Sequence, residues 1–364
     1  MYISELENSK NHQHLSLFSL KLNRNTMFSS KNTVPIKYLN IKLMFTILIT
    51  LFLTCSPAKA EPPKTIVVIP KSTLLHFWKI VCTGAAAATN DRDVKLIWRG
   101  PRVENKVDAQ KHLMNFYIDK KVDAIVIAPT HRSKLNTSIE KAVQAGIKVV
   151  VIDSIATTNA KHSFVGTDNY KAGKLGAKIL LERTTQKGPL LLMGNVPQSS
   201  SISAREQGFI DEVNNIAPGR TIVKINLNEG TRREAQLVAE DILQCSKKLS
   251  GIFAVNEVSS EGVLHALRKK TSIDIPFVGI DYSHRLIEGI KDGIVDALIT
   301  QKPYAIGYFG VRTAIDLLNG IKTPKVMESP VKIITKENIQ FAKTLRCLKE
   351  FTVEEKKECP MCFN

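Results

Sequence analysis

Nine residues of this chain have the chemistry to hold a small polar molecule without reacting with it: Lys71, His76, Phe77, Trp78, Asp153, Arg205, Asn256, Asp281 and Gln301. The two carboxylates accept hydrogen bonds on paired oxygens, the two amides both donate and accept, and Arg205 offers a planar fork of donors. Phe77 and Trp78 add aromatic faces of the kind that cover the apolar C–H side of a sugar ring. That inventory suits a neutral, polyhydroxylated ligand. The basic pair Lys71 and His76 would also suit a carboxylate or a phosphate. Taken singly, each residue has a plainer role. Asp153 and Asp281 could cap the turns that follow them, Phe77 and Trp78 could be core, and Asn256 could be an ordinary turn residue. Their common placement argues otherwise, because most of them end an apolar run or open a helix.

No catalytic residue, metal site or cofactor is expected. The chain has no Gly-x-Ser-x-Gly elbow, no Walker loop, no Gly-x-Gly-x-x-Gly after a strand and no His-Glu-x-x-His. Gly173-x-x-Gly176 falls inside a helical stretch, where close packing explains it. His112 and His265 fall in helices as surface or packing residues, and a binding role fits His76 better than that of a base without a nucleophile.

The elements that must position these residues alternate. Lys64–Pro70, Val94–Trp98, Ala124–Ala128 and Lys148–Ile152 are continuous β-branched or apolar runs, as expected of strands buried on both faces. Helical patterns over Phe77–Thr89, Lys106–Lys120 and Leu135–Ala145 separate them, the last closed by Gly146. Then comes Phe164–Gly176, an apolar strand end broken at Gly166-Thr167, with Thr167, Asp168 or Asn169 available to cap a helix over Tyr170–Glu182. Beyond it the pattern restarts. Strands are expected at Pro189–Met193, Thr221–Leu227, Gly251–Val255, Pro276–Ile280 and Ala297–Thr300. The intervening helices are Ala204–Asn214, Thr231–Gln244, Glu261–Lys269 and Arg285–Asp292. A helix over Ala305–Asn319 and a crossing strand over Ser329–Ile334 finish the order. Such alternation means right-handed βαβ units and parallel sheets. The fold class is therefore α/β, with two Rossmann-like lobes of parallel sheet flanked by helices and a ligand cleft between them, where open parallel sheets bind their ligands.

The chain carries a net charge of +17; its first sixty residues hold seven Lys/Arg against Glu5 and Glu7, which leaves +12 for the remainder. The basic residues are scattered along amphipathic helices with no basic run or zinc pattern, so no nucleic acid is expected as a partner. Leu43–Leu53 is an 11-residue apolar run, too short to cross a bilayer comfortably. Lys37 and Lys42 precede it and Ala58-Lys59-Ala60 follows, so residues 1–60 read as a signal peptide with cleavage before Glu61. Met27 would give that leader a more ordinary length, residues 1–26 then being an extension. The rival reading is a lipid anchor on Cys55, preceded by Phe52-Leu53-Thr54 where small residues are expected. Export permits disulfides, but Cys82, Cys245, Cys347, Cys359 and Cys362 are odd in number, and their pairing stays open. Cys359-Pro360-Met361-Cys362 lies in a Cys-bearing tail, 343–364.

Pro70-Lys71-Ser72-Thr73, His76-Phe77-Trp78, Ile97-Trp98-Arg99-Gly100-Pro101, Thr167-Asp168-Asn169-Tyr170, Arg205-Glu206-Gln207-Gly208-Phe209, Asn256-Glu257 and Gly279-Ile280-Asp281 occur in this order. Together they resemble periplasmic sugar-binding proteins of the ribose-binding type, the solute receptors of ABC importers, over nearly all of 64–340. The resemblance implies a three-strand hinge near Thr167-Asp168, Gln301-Lys302 and Ser329-Pro330. The N-terminal lobe would be 61–167 plus 302–328 and the C-terminal lobe 168–301 plus 329–342. Phe77 and Trp78 match the pair that sandwiches the sugar; Asp153, Arg205, Asn256, Asp281 and Gln301 match its polar clamp. The family's Asn before the aromatics is absent around Leu74-Leu75, and its Arg after the first-lobe Asp is Ser154. Both departures argue against ribose itself. The expectation is a monomeric receptor in the periplasm for a monosaccharide or related polyol, delivering it to an ABC permease. A sensory receptor docking on a membrane kinase or chemoreceptor is the alternative. DNA-binding repressors share this fold, but an export signal stands where their helix-turn-helix would be.

Overall fold

The computed structural model describes residues 62–342 apart from 91, 161–162, 246–248 and 271–273. The leader, Cys55 and the Cys-bearing tail lie outside the described residues. The chain builds two six-stranded sheets with helices on both faces. The first half runs β1 (Lys64–Ile69), α1 (His76–Ala87), β2 (Val94–Trp98), α2 (Val107–Asp119), β3 (Ala124–Ile127), α3 (Asn136–Gln144), β4 (Lys148–Ile152) and β5 (Ser163–Gly166). The second runs α4 (Asn169–Arg183), β6 (Leu190–Met193), α5 (Ser200–Ile216), β7 (Ile222–Ile225), α6 (Arg232–Cys245), β8 (Gly251–Ala254), α7 (Glu257–Arg268), β9 (Phe277–Ile280), α8 (His284–Lys291) and β10 (Ala297–Thr300). Then follow α9 (Pro303–Leu318), β11 (Val326–Glu328), β12 (Lys332–Ile334) and α10 (Ile339–Ala342).

Strand order is β11-β5-β4-β3-β1-β2 in one sheet and β12-β10-β9-β8-β6-β7 in the other. The two orders correspond strand for strand, so β4 and β9 occupy equivalent places. Every pairing is parallel except β10 with β12. The central strands are apolar throughout because both faces are covered: Ile66–Ile69, Ala124–Ile127 and Leu190–Met193 are wholly buried. One core cluster gathers Val68, Val126, Ile152 and residues of α1 and α9; another gathers Val67, Ile125, Val151 and residues of α2 and α3. The second sheet has the same two-sided arrangement around Leu191 and Leu192.

The helix starts follow from single residues. Asp168 caps α4 by accepting from the Lys171 N–H at 3.0 Å, which decides among Thr167, Asp168 and Asn169. Two helix pairs cross with a glycine on each partner. A Cβ on Gly84 or Gly307 would collide with a carbonyl of the facing helix, locking α1 against α9. Gly173 and Gly208 do the same for α4 and α5, so Gly173 is the packing residue its spacing suggested. Cys82 is disulfide-bonded, whereas Cys245 is free and exposed.

One element departs from expectation. Ser329–Ile334 is not a single strand: β11 joins the first sheet beside β5, and β12 joins the second beside β10. The chain thus passes between the sheets after Gly166, after Thr300 and between Glu328 and Lys332.

Candidate functional site

The strand ends deliver their polar residues in matched pairs. Asp153 follows β4 and Asp281 follows β9, and each adopts a left-handed backbone, with φ of 62° and 71°. Asp tolerates this region better than most non-glycine residues, at a cost of about 1 kcal/mol or more. The Asp153 N–H still donates to the Val165 carbonyl (3.0 Å) and that of Asp281 to the Ile299 carbonyl (2.9 Å). The ladder therefore holds to the last residue, and the backbone then turns the carboxylate out of the sheet in the same way twice.

Lys71, Phe77, Trp78, Asp153, Arg205, Asn256, Asp281 and Gln301 line one cavity of about 30 Å³, room for a water or two. Its walls come from both sheets. Larger recesses of about 840 and 490 Å³ exist: the first lies at the opposite ends of β4 and β5, around Ile147 and Ser163, and the second beside the crossing around Thr167 and Tyr170, to one side of the matched strand ends. His76 is not part of the lining. Its ring packs edge-on against Tyr282, 5.4 Å between centroids, and burial lowers its pKa.

Lys71 reads differently in three dimensions. Its ammonium ion-pairs with Asp153 at 2.6 Å and donates to Ser154 (2.5 Å), Ser199 (3.0 Å) and Ser201 (3.1 Å). Both members of the pair are buried, at 5% and 4% exposure. The cation serves the protein's own carboxylate. Arg205 is similarly committed: Nε donates to Asn169 Oδ1 (2.7 Å), Nη1 to the Val255 carbonyl (2.8 Å), and Asp281 lies 3.7 Å away. Gln301 Nε2 donates to Asp281 Oδ1 at 2.7 Å. Burial nevertheless raises the Asp281 pKa, with Arg205 and Gln301 opposing the rise. Asn256 performs its plainer role as well, since its Oδ1 caps α7 by accepting from the Ser259 N–H at 3.0 Å.

Two acidic residues outside the nine candidates, Glu104 and Glu257, also line the cavity. Glu104, in the β2–α2 loop, accepts from Trp78 Nε1 at 2.9 Å, and burial pushes its carboxyl up. Nothing in the polar run around it marks Glu104, except the Gly100-Pro101 punctuation just before. Glu257, in the first turn of α7, reaches the other half of the molecule. It accepts from the backbone N–H of Phe77 (3.1 Å) and of His76 (3.4 Å) at the start of α1, and from Arg232 (2.7 Å). Burial first, then the neighbouring Glu261, raise its pKa to about 7. Further bonds span the same gap: Ser200 Oγ donates to the Ile155 carbonyl (2.8 Å) and Asn105 Nδ2 to that of Glu229 (3.1 Å).

Aromatic and carboxylate walls of this kind suit a ring bearing several hydroxyls once they stand further apart than in this form. A family model described as a periplasmic binding protein domain matches residues 66–322. The D-ribose/D-allose-binding protein of Pseudomonas aeruginosa is 28% identical over 300 residues, 78% of this chain and 93% of that protein. The ribose import binding protein of Bacillus subtilis is 29% identical over 221 residues, 60% and 71% of the two chains. Among solved structures, a carbohydrate transporter solute binding protein from Agrobacterium radiobacter, in complex with D-arabinose, superposes with a TM-score of 0.75 at 28% identity, covering 80% of this chain and all of that one. An ABC transporter solute binding protein from Agrobacterium vitis with bound D-fucose gives 0.73 at 31% identity, covering 76% and 96%.

Proposed function

Because the chain belongs to the periplasmic binding protein family, we propose that it is an exported receptor that captures a monosaccharide or related polyol and delivers it to an ABC importer. The observation that carries this reading is a cavity built from matched strand ends of both sheets, with Asp153 and Asp281 in the same left-handed conformation. The relatives named as ribose import binding proteins support delivery to an importer. No step here calls for bond making. Asp153, Asp281, Gln301, Asn256 and Arg205 supply the polar clamp, while Phe77 and Trp78 supply the aromatic wall.

A cavity of about 30 Å³ cannot admit a sugar unless its walls part. We therefore read Thr167, Asp168, Lys302, Ser329 and Pro330, where the chain passes between the sheets, as the hinge. Ligand binds the closed form better and shifts the population towards it. The test is a thermal-shift and tryptophan-fluorescence screen of the purified protein against pentoses, hexoses and polyols. Trp78 is one of only two tryptophans, so occupancy of the cleft should change the emission. Micromolar binding should raise the melting temperature by several degrees, roughly as ligand linkage dictates. Asp281→Ala and Trp78→Ala should each abolish the response. A panel of sugars that moves neither signal would overturn the reading.

A further inference from the structure

Carboxylates outnumber cations in the lining of the cleft: Glu104, Asp153, Glu257 and Asp281 stand against Lys71 and Arg205. On the donor side, the Lys71 ammonium has three N–H groups and four oxygens within 3.1 Å of it. Trp78 Nε1 is committed to Glu104, and Arg205 Nε and Nη1 to Asn169 and Val255, while Arg205 Nη2 and the Asn256 amide nitrogen remain as donors. On the acceptor side, Gln301 Oε1 is buried without a partner, in a side chain only 3% exposed. Trp78 occupies one oxygen of Glu104, and Lys71 and Ser154 occupy one oxygen of Asp153, leaving the second oxygen of each carboxylate for another donor.

Glu104 is also firmly built into the wall. Its loop is pinned at Pro101, whose carbonyl accepts from the Thr73 N–H (2.9 Å), and at Arg102, whose carbonyl accepts from Ser72 Oγ (2.8 Å). The next residue, Asn105, holds a left-handed backbone at φ 65°, donates its N–H to Thr130 Oγ1 (3.1 Å), and reaches Glu229 with its side chain. A strained turn fixed on three sides is how a side chain is held in place before the ligand arrives.

We propose that Glu104, fixed by Trp78, is a ligand-reading residue that takes a donor group of the sugar, and that it makes the cleft prefer hydroxyl- or amine-bearing sugars over sugar acids and sugar phosphates. The proposal rests on the receptor reading above. Neither cation reverses the preference, because Asp153 ion-pairs with Lys71 and Asp281 lies 3.7 Å from Arg205.

The test compares the wild type with Glu104→Gln, which keeps an acceptor for the Trp78 N–H but removes the charge and turns the second oxygen into an N–H donor. Calorimetry would measure D-arabinose, D-allose and D-fucose, a 2-amino-2-deoxyhexose, an aldonic acid, a hexuronic acid and a pentose 5-phosphate. Wild-type protein should bind one or more of the neutral or amino sugars at least 100-fold more tightly than any acid or phosphate. In Glu104→Gln that ratio should fall at least tenfold, as expected when a charged acceptor inside a closed site is made neutral. A preferred amino sugar would identify the donor as an ammonium, and a preferred neutral sugar as a hydroxyl. An acid or phosphate bound best by the wild type, or a ratio unchanged in Glu104→Gln, would overturn the proposal and leave the receptor reading intact. Binding of no sugar of any class would sink both.

Discussion

At the scale of residues, the Lys71–Asp153 pair illustrates how burial changes what a charge is for. Removing one member of a buried pair strands the other, typically at a cost of 3–5 kcal/mol, whereas removing both is far less costly. Asp153→Ala should therefore lower stability by about 3 kcal/mol, and Lys71→Met with Asp153→Ala should recover most of the loss. Urea melts of the two single variants and the double variant close the cycle; additive losses would show that the two groups do not depend on each other. Ser154, where the resembling family has Arg, takes part in this pair by donating to Asp153 and accepting from Lys71. The sequence made Asp153 and Asp281 legible because each directly ends a β-branched run. It could not show that Lys71 is spent, since its four oxygen partners come from positions up to 130 residues away. Nor could it separate Glu104 from the Arg, Asn and Lys around it, which share its loop and its polarity.

Among the elements, the helix pairs translate sequence into site geometry. The Gly173 contact falls on the carbonyl of Arg205 itself, so the crossing of α4 with α5 sets where that guanidinium starts. Gly173→Ala must push the helices apart, costing roughly 1–3 kcal/mol as overpacking does, and should weaken ligand affinity as well. Gly307→Ala should match it in stability through α1 and α9. Thermal melts and ligand titrations on both variants would check this, and a neutral Gly307→Ala would show that the α1–α9 crossing yields easily. Parallel strands and amphipathic helices were readable because each is a long patterned run. β11 and β12 were not. Each has three residues, with exposed positions at the edge of its sheet, and which sheet a short edge strand joins is decided by its neighbours.

For the molecule as a whole, Glu257 makes the two halves meet through a group that titrates. Its pKa is about 7 here against 4.5 ordinarily, so this compact form binds the proton more tightly than the unfolded chain does. The stability it contributes is therefore complete below about pH 4.5 and is lost as pH rises through about 7. His76 acts in the opposite sense: lowered by burial, its contribution is present above 6.5 and fades as pH falls through the lowered value. The difference between wild type and Glu257→Gln isolates the first effect. Between pH 4.5 and 7 the wild-type melting temperature should fall with pH more steeply than the variant's, and parallel curves would deny the linkage.

The three passages of the chain between the sheets also decide when each half can be finished. Ile306, Val311, Ala314 and Ile315 of α9 belong to the core of the first sheet, beside Val68 and Ile152, although the whole second sheet except β12 lies between them in sequence. A nascent chain that has reached Thr300 already contains five of the six strands of the later lobe. It still lacks the helix that covers one face of the earlier lobe. Chains commonly mature from their N-terminus as they emerge. In this molecule the half that begins first must wait for nearly all of the other before its core can close.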